Sequence, residues 1–266
     1  MDELFLKAIA TAGVAGISCG LIGVFVFLLN IPFIGVAIAH SAMAGGIWAI
    51  IFNLPSKLLA FLSSFLTALF IGPITDKAKT NPNISLSIIF SFVMGVAFFG
   101  VGLLEGKSQL VTNFLWGNIL LSDWSDVVIQ AIILIFAILL IVVYFKNFSV
   151  FLFNREIAIT LGINVNFILY FILFLIGVIV TLNLDTIGGL MLFALIITPP
   201  AIAYQWTFDL KKFFIISSVA GLSGGLGGVL ISFAFNFPVS ATVVIFISIL
   251  FFISALFSPK RKKYGE

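Results

Sequence analysis

Charge is scarce in this sequence. Asp, Glu, Lys and Arg make up 9% of its 266 residues, against about a quarter in a soluble domain. A water-exposed globule of this length would lack the polar surface to cover itself, so a soluble fold is excluded. Disorder is excluded too, because disordered chains are poor in apolar residues and this one is 62% hydrophobic. Cysteine is nearly absent. With Cys19 alone, no internal disulfide and no cysteine-based metal cluster can form, and Cys19 reads as a small buried helix residue. Histidine is equally sparse, His40 being the only one. One histidine and one cysteine are poor material for an intramembrane enzyme, which needs a nucleophile–base pair or a metal cluster. The formal net charge of +3 implies no nucleic-acid partner in so apolar a chain. The charges inform by position.

What is abundant is uninterrupted apolar sequence. No Asp, Glu, Lys or Arg lies between Lys7 and Lys57, Lys79 and Glu105, Asp126 and Lys146, Glu156 and Asp185, Asp185 and Asp209, or Lys212 and Lys260. A helix needs about 20 apolar residues to cross a hydrocarbon core of about 30 Å, so the first and last gaps each hold two crossings. The pattern predicts an all-α, polytopic transmembrane helix bundle with broken helices. Its spans fall at 8–30, 36–53, 57–75, 84–104, 127–145, 165–183, 187–205, 212–232 and 239–257. The count is about nine, between eight and ten, in a single transmembrane domain over residues 1–266. A β-barrel would show short segments of alternating polarity. The stretch 108–122 is short and amphiphilic and reads as an interfacial or re-entrant piece. The first apolar run is long and follows Asp2 and Glu3, unlike a cleaved signal peptide.

Lys260, Arg261, Lys262 and Lys263 cluster at the end of the chain, and the positive-inside rule places that tail in the cytoplasm. Walking back, Lys211, Lys212, Lys146, Arg155, Lys77 and Lys79 fall inside, whereas Asp185, Asp126, Asp123 and Glu105 fall outside. Lys57 is a lone basic residue on the wrong side. The one sizeable inner loop, KNFSVFLFNREIAITLGIN over 146–164, has the pattern of a short helix on the cytoplasmic surface and suggests a docking partner.

Within the spans, small residues recur at offsets of three and four, as in Gly13, Gly16, Gly20 and Gly23 and in GLSGGLGG from Gly221 to Gly228. Such faces let helix backbones approach closely. Pro32 breaks the chain between the first two spans, and Pro199 and Pro200 are expected to end or kink the seventh, since proline removes a donor and clashes with the preceding turn. Transporters often place sites at interrupted helices. His40 follows the Pro32 break and admits two readings: a packing histidine bonded to a backbone carbonyl, or a residue on a substrate pathway, where imidazole suits zinc, manganese or iron. It has no carboxylate nearby in sequence, and Ser41 offers only a weak ligand or a hydrogen bond.

Four strings carry a family resemblance. FVFLLNIPFIGVAIAHSAMAGG, FNREIAITLGINV, IGGLMLFALIITPPAIA and GGVLISFAFNFPVSATVV, in that order along nearly the whole chain, resemble the permease subunit of zinc, manganese and iron ABC importers, the metal-ion type 3 permeases. Gly35, Ala37, His40 and Gly45 match the first string. Glu156, Ala158 and Gly162 match the second, Gly188, Leu192, Pro200 and Ala203 the third, and Gly228, Pro238 and Ser240 the fourth. The resemblance implies a prokaryotic plasma (inner) membrane protein that pairs as a homodimer around a central path. A cytoplasmic ATP-binding subunit would dock on Arg155, Glu156, Ala158 and Gly162, and an extracytoplasmic metal-binding protein would deliver the ion. It implies a pathway past Val36, His40 and Ser41, with His40 as metal ligand. Hydrolysis then belongs to the partner, so this chain is no enzyme and holds no tight cofactor, the divalent zinc, manganese or iron being cargo. Where the family has aspartate four residues before the histidine, this chain has Val36, although residues at i and i+4 share a helix face. The family's arginine-rich step is also replaced, by Leu29 and Asn30. An ABC permease for a non-metal substrate stays open. An ion-gradient carrier or channel is the other alternative, but it would want charges near the midplane, which are almost absent.

Overall fold

The computed structural model describes residues 2–78, 82–104, 119 and 122–259. The 108–122 piece lies outside the described residues except for Ile119 and Ser122, and so do Lys79, Glu105 and the basic tail from Lys260. Ten helices follow in order among the described residues: α1 (Asp2–Leu28), α2 (Phe33–Ile51), α3 (Ser56–Ala78), α4 (Pro82–Leu103), α5 (Trp124–Val143), α6 (Phe145–Phe153), α7 (Arg155–Thr160), α8 (Val165–Trp206), α9 (Leu210–Phe235) and α10 (Val239–Leu256). Seven of them are long and apolar enough to cross a membrane. The apolar part of α3 is shorter, Ser56–Phe70. The inner loop, expected as one surface helix, is two short helices, α6 and α7.

α8 joins the two spans expected at 165–183 and 187–205. Its 42 residues would make a straight rod of about 63 Å at 1.5 Å per residue, twice the thickness of a hydrocarbon core. It is two helices joined across Gly188, whose φ of 76° and ψ of 161° leave the helical region. Glycine alone takes that conformation without strain from a Cβ. The prolines expected to end or kink the seventh span do not end it. Pro199 and Pro200 sit inside α8, which runs on to Trp206. A proline at i frees the carbonyl at i−4, so Pro200 leaves the Ile196 carbonyl without its helical donor. Gly23 of α1 lies directly over that oxygen, too close for any larger residue, and close packing of a glycine Cα is the compensation available in lipid. Pro32 does mark a break: it stands at the N-cap of α2, after a turn in which Asn30 has φ 54°.

Helix ends repeat one device. Asn30, Asn53, Gly162 and Asn236 all adopt positive φ, and the following residue donates back five positions, as in Ile31 to Val26 (3.1 Å), Leu54 to Ala49 (2.8 Å), Ile163 to Ala158 (3.0 Å) and Phe237 to Ser232 (3.0 Å). This left-handed cap satisfies carbonyls that a helix end would otherwise leave bare, and asparagine substitutes for glycine because it tolerates the conformation.

The core is built on α1, which is buried on nearly every side between α8 and α9. Ala12 meets Gly225, Gly16 meets Gly221 and Gly20 meets Ser217, a ladder that steps four residues forward on α1 and four back on α9. The two helices are therefore antiparallel with backbones in contact, and Ser217 Oγ donates to the Gly20 carbonyl at 2.6 Å. In lipid such close approach supplies the dispersion energy that the hydrophobic effect supplies in water. α4, α5 and α10 expose broad apolar faces. The same contacts sort the charges. Lys57 and Asp126 meet at one end of the bundle, whereas Lys211 lies over the Phe145 ring at the other.

Gly221→Leu should overpack the α1–α9 crossing by about 3 kcal/mol and lower the midpoint of thermal unfolding in detergent by roughly 5 °C. Gly95→Ala, where an added Cβ meets nothing within 4 Å, should leave the midpoint unchanged, and fluorescence-detected melting compares the two.

Candidate functional site

His40 lies seven residues from the start of α2 and eleven from its end, about 10 Å and 16 Å along the axis. That is mid-depth for a spanning helix. Its Nδ1 is 2.8 Å from the Val36 carbonyl one turn back. A carbonyl only accepts, so Nδ1 carries the hydrogen, and in the neutral ring the lone pair resides on Nε2. The half-buried imidazole stands edge-on to Phe90 of α4, with centroids 5.0 Å apart. The packing bond and the ligand role are thus compatible: one nitrogen orients the ring and the other keeps its lone pair, as in metal-binding histidines. Val36 takes part through its backbone.

Ser41 is buried, and its hydroxyl is engaged with α3. Ser41 Oγ donates to the Ser63 carbonyl (2.8 Å) and lies 2.6 Å from Thr67 Oγ1, and Ser63 Oγ donates back to the Ser41 carbonyl (2.7 Å). One turn on, Gly45 admits the Leu59 carbonyl and the Ser63 hydroxyl of α3. From there a row of interhelical bonds crosses the bundle. Ser64 pairs with Thr181 of α8 at 2.7 Å. Asn183 Nδ2 donates to the Ile179 carbonyl (2.7 Å) and reaches Ser18 of α1 (3.4 Å). Gln130 Nε2 of α5 donates to Thr186 Oγ1 (2.8 Å). Interhelical bonds of this kind are worth about 0.6 kcal/mol each on average in membranes. Three of these anchor residues on α8, Thr181, Asn183 and Thr186, lie within eight residues before the Gly188 break, so α8 is tied to α3, α1 and α5 just ahead of its bend. Among the described residues no three of His, Cys, Asp and Glu gather closely enough to hold a metal ion.

The inner segment is anchored on its buried side and apolar on its free side. Asn154 caps α7, its Oδ1 accepting from the Glu156 (2.8 Å) and Ile157 (3.1 Å) backbone N–H groups, and Gly162 closes the helix in the left-handed cap. Ala158 is the one residue of α7 fully buried. Arg155 donates to Asn166 Oδ1 (3.3 Å) at the start of α8, and Glu156 is exposed. Phe153, Ile157, Ile159 and Leu161 present apolar surface outward. Phe148 of α6 is buried against Phe25 of α1 (5.2 Å) and Phe171 of α8 (6.1 Å), which links the segment mechanically to the core.

At the opposite end Lys57 Nζ donates to Asp126 Oδ1 at 2.9 Å, while Asp126 Oδ2 accepts from the Asp123 N–H at 3.3 Å. Lys7 pairs with Glu3 at 3.0 Å. Both described basic residues at this end are therefore neutralised, whereas Lys146, Arg155, Lys211 and Lys212 at the other end enter no ion pair among the described residues. The apparent exception at Lys57 thus has a local cause. Sequence reasoning passed over Ser63, Thr67, Thr181, Asn183, Thr186 and Gln130. Their signal was available as polar side chains inside apolar runs, but nothing in the sequence says which of them meet.

A family profile described as "ABC 3 transport family" matches residues 1–258. The manganese transport system membrane protein MntC of Listeria monocytogenes is 32% identical over 98% of this chain and 93% of its own length. The "Probable iron transport system membrane protein" of Haemophilus influenzae is 31% identical over 97% of this chain and 91% of its own. Among solved structures, PsaBC from Streptococcus pneumoniae in complex with Fab superposes with a TM-score of 0.85 at 27% identity, over 97% of this chain and 92% of that one.

Asn154→Ala should remove about 1 kcal/mol from α7. Hydrogen exchange at the Glu156 and Ile157 amides is expected to rise about fivefold while the α1 and α9 amides stay protected.

Proposed function

The chain belongs to the ABC 3 transport family, and from that premise we propose that it is the membrane-spanning subunit of an ATP-driven importer, moving a divalent transition-metal cation into the cytoplasm by alternating access. Relatives named for manganese and iron transport along nearly the whole chain carry the reading. In this reading residues 1–266 form one permease domain with nine spans, α8 crossing twice and α3 once, and the membrane is a prokaryotic plasma membrane. The unpaired basic residues near α6, α7 and the start of α9 put that end, and the C-terminus, in the cytoplasm.

Each residue singled out in the sequence then has a task. His40 Nε2 is the protein's ligand to the passing ion, with Val36 holding the ring through its carbonyl and Ser41 keeping α2 fixed on α3. A single neutral imidazole binds weakly enough to release the ion, and water supplies the other ligands in place of the missing aspartate. The cytoplasmic ATP-binding subunit docks on the apolar surface around Arg155, Glu156, Ala158 and Gly162. Movement there reaches α1 and α8 through Phe148, and Gly188 gives α8 a place to bend, with Pro32, Pro199 and Pro200 setting the shape of the neighbouring helices. Two copies enclose the path, and an extracytoplasmic metal-binding protein delivers the ion to the end that carries Asp126 and Asp185. The metal is cargo.

Uptake by vesicles reconstituted with the partner subunits tests this directly. Manganese, iron or zinc should accumulate only with ATP, and His40→Ala should cut the rate at least tenfold with the protein level unchanged. Accumulation without ATP, or equal losses of rate and protein, would sink the assignment. Glu156→Lys is expected to abolish permease-stimulated ATP turnover while the melting midpoint stays within a degree or two of the parent.

A further inference from the structure

Lys57 and Asp126 meet at the end of the bundle opposite α7, with two further carboxylates within electrostatic reach. Lys57 Nζ bonds Asp126, and Asp185 of α8 and Asp123 act on the same ammonium electrostatically. Lys57 is held loosely: its side chain is 74% exposed, against 23% for Asp126. Asp185 is exposed as well. A cluster of this kind could be no more than a wet surface, but one buried side chain beneath it has no such explanation. Gln130 lies four residues below Asp126 on the same face of α5 and is 4% exposed. Its amide nitrogen is bound to Thr186, the chain neighbour of Asp185, and its Oε1 receives no hydrogen bond. Asn183 Oδ1, a turn deeper on α8, is likewise without a donor. An amide oxygen bare at membrane depth costs free energy. Counted along α5 and α8, these two bare oxygens lie inward of Asp126 and Asp185, and each is a neutral acceptor left free while its own amide nitrogen is engaged elsewhere.

We propose that Asp126 and Asp185, with the Gln130 amide oxygen beneath them, form an outer capture station for a partly hydrated divalent cation, which Lys57 occupies as a tethered counter-ion until the metal displaces it. The inference rests on the reading of the chain as a cation permease and adds a second, shallower station to His40. Small divalent ions keep several waters and bind through one or two carboxylates, so the station needs no complete protein shell. An all-oxygen set takes hard cations with little distinction, whereas an imidazole favours transition metals. Capture and selection are then separate steps, the first at the mouth and the second at mid-depth. The tethered ammonium neutralises the mouth when no metal is present and keeps capture weak and reversible, as onward transfer requires.

The test is Mn2+ binding to the full-length protein in lipid nanodiscs, read as loss of the free-ion EPR signal, with and without excess Mg2+ to mark the oxygen-only station. Lys57→Met should tighten Mg2+-displaceable binding about tenfold, the scale expected when a like charge beside the ion is removed. Asp185→Asn introduced into Lys57→Met should take that gain away. Both side chains are exposed, so neither change threatens the fold. Unchanged affinity in Lys57→Met, or a gain that survives Asp185→Asn, overturns the proposal. No ATP-binding subunit, receptor or transport step enters the measurement. ATP-independent accumulation of metal by the reconstituted complex would therefore defeat the importer reading alone.

Discussion

Lipid offers no hydrogen-bond partner, so each polar group within the bundle depends on its own helix or on a neighbouring one. α8 shows the consequence most fully. It gives up its helical geometry at Gly188 and two backbone donors at Pro199 and Pro200, and neighbouring helices act at the break and at the second proline. Gly23 of α1 closes over the Ile196 carbonyl, and Thr181, Asn183 and Thr186 tie the segment before the break to α3, α1 and α5. A bend held in this way is a defined position. The glycine ladder between α1 and α9 has the same logic, since small residues bring backbones into contact where burial from water is no driving force.

From that packing follows the division of the molecule into two ends and a middle. The end with α6 and α7 has no ion pair to Lys146, Arg155, Lys211 or Lys212 among the described residues and presents Phe153, Ile157, Ile159 and Leu161 outward, while Phe148 reaches back into the core. The opposite end pairs both of its described lysines with carboxylates. In the middle His40 stands nearly alone as a chemically versatile group, its ring fixed by the carbonyl of the residue that replaces the family's aspartate. Low charge within the spans would make a path between them a weak binder, which suits the proposed task of passing an ion on.

Much of this was legible along the chain. Gaps between charges located the long helices to within a few residues, because a membrane imposes a length on every crossing. The NREIAITLGIN string announced the capped short helix, since Asn154 and Gly162 are residues that start and stop helices by local geometry. Pro199 and Pro200, expected to end or kink the seventh span, do not end it: local propensity disfavours proline in a helix, but neighbouring helices in lipid can compensate for its missing bonds. The break is at Gly188, within a few residues of the boundary at Asp185 that divided the 165–183 span from the 187–205 span.

The sequence by itself determined that the chain crosses a membrane, roughly where, and which family it belongs to, because apolar length and ordered motifs are properties of a string. Tertiary structure alone decided that Lys57 answers Asp126 across 69 residues, that Ser41 faces Ser63 and Thr67, and that Gln130 is held beneath Asp185 with its amide oxygen bare. Those are pairings between helices, fixed by which faces pack together, and a one-dimensional pattern carries the faces without their partners.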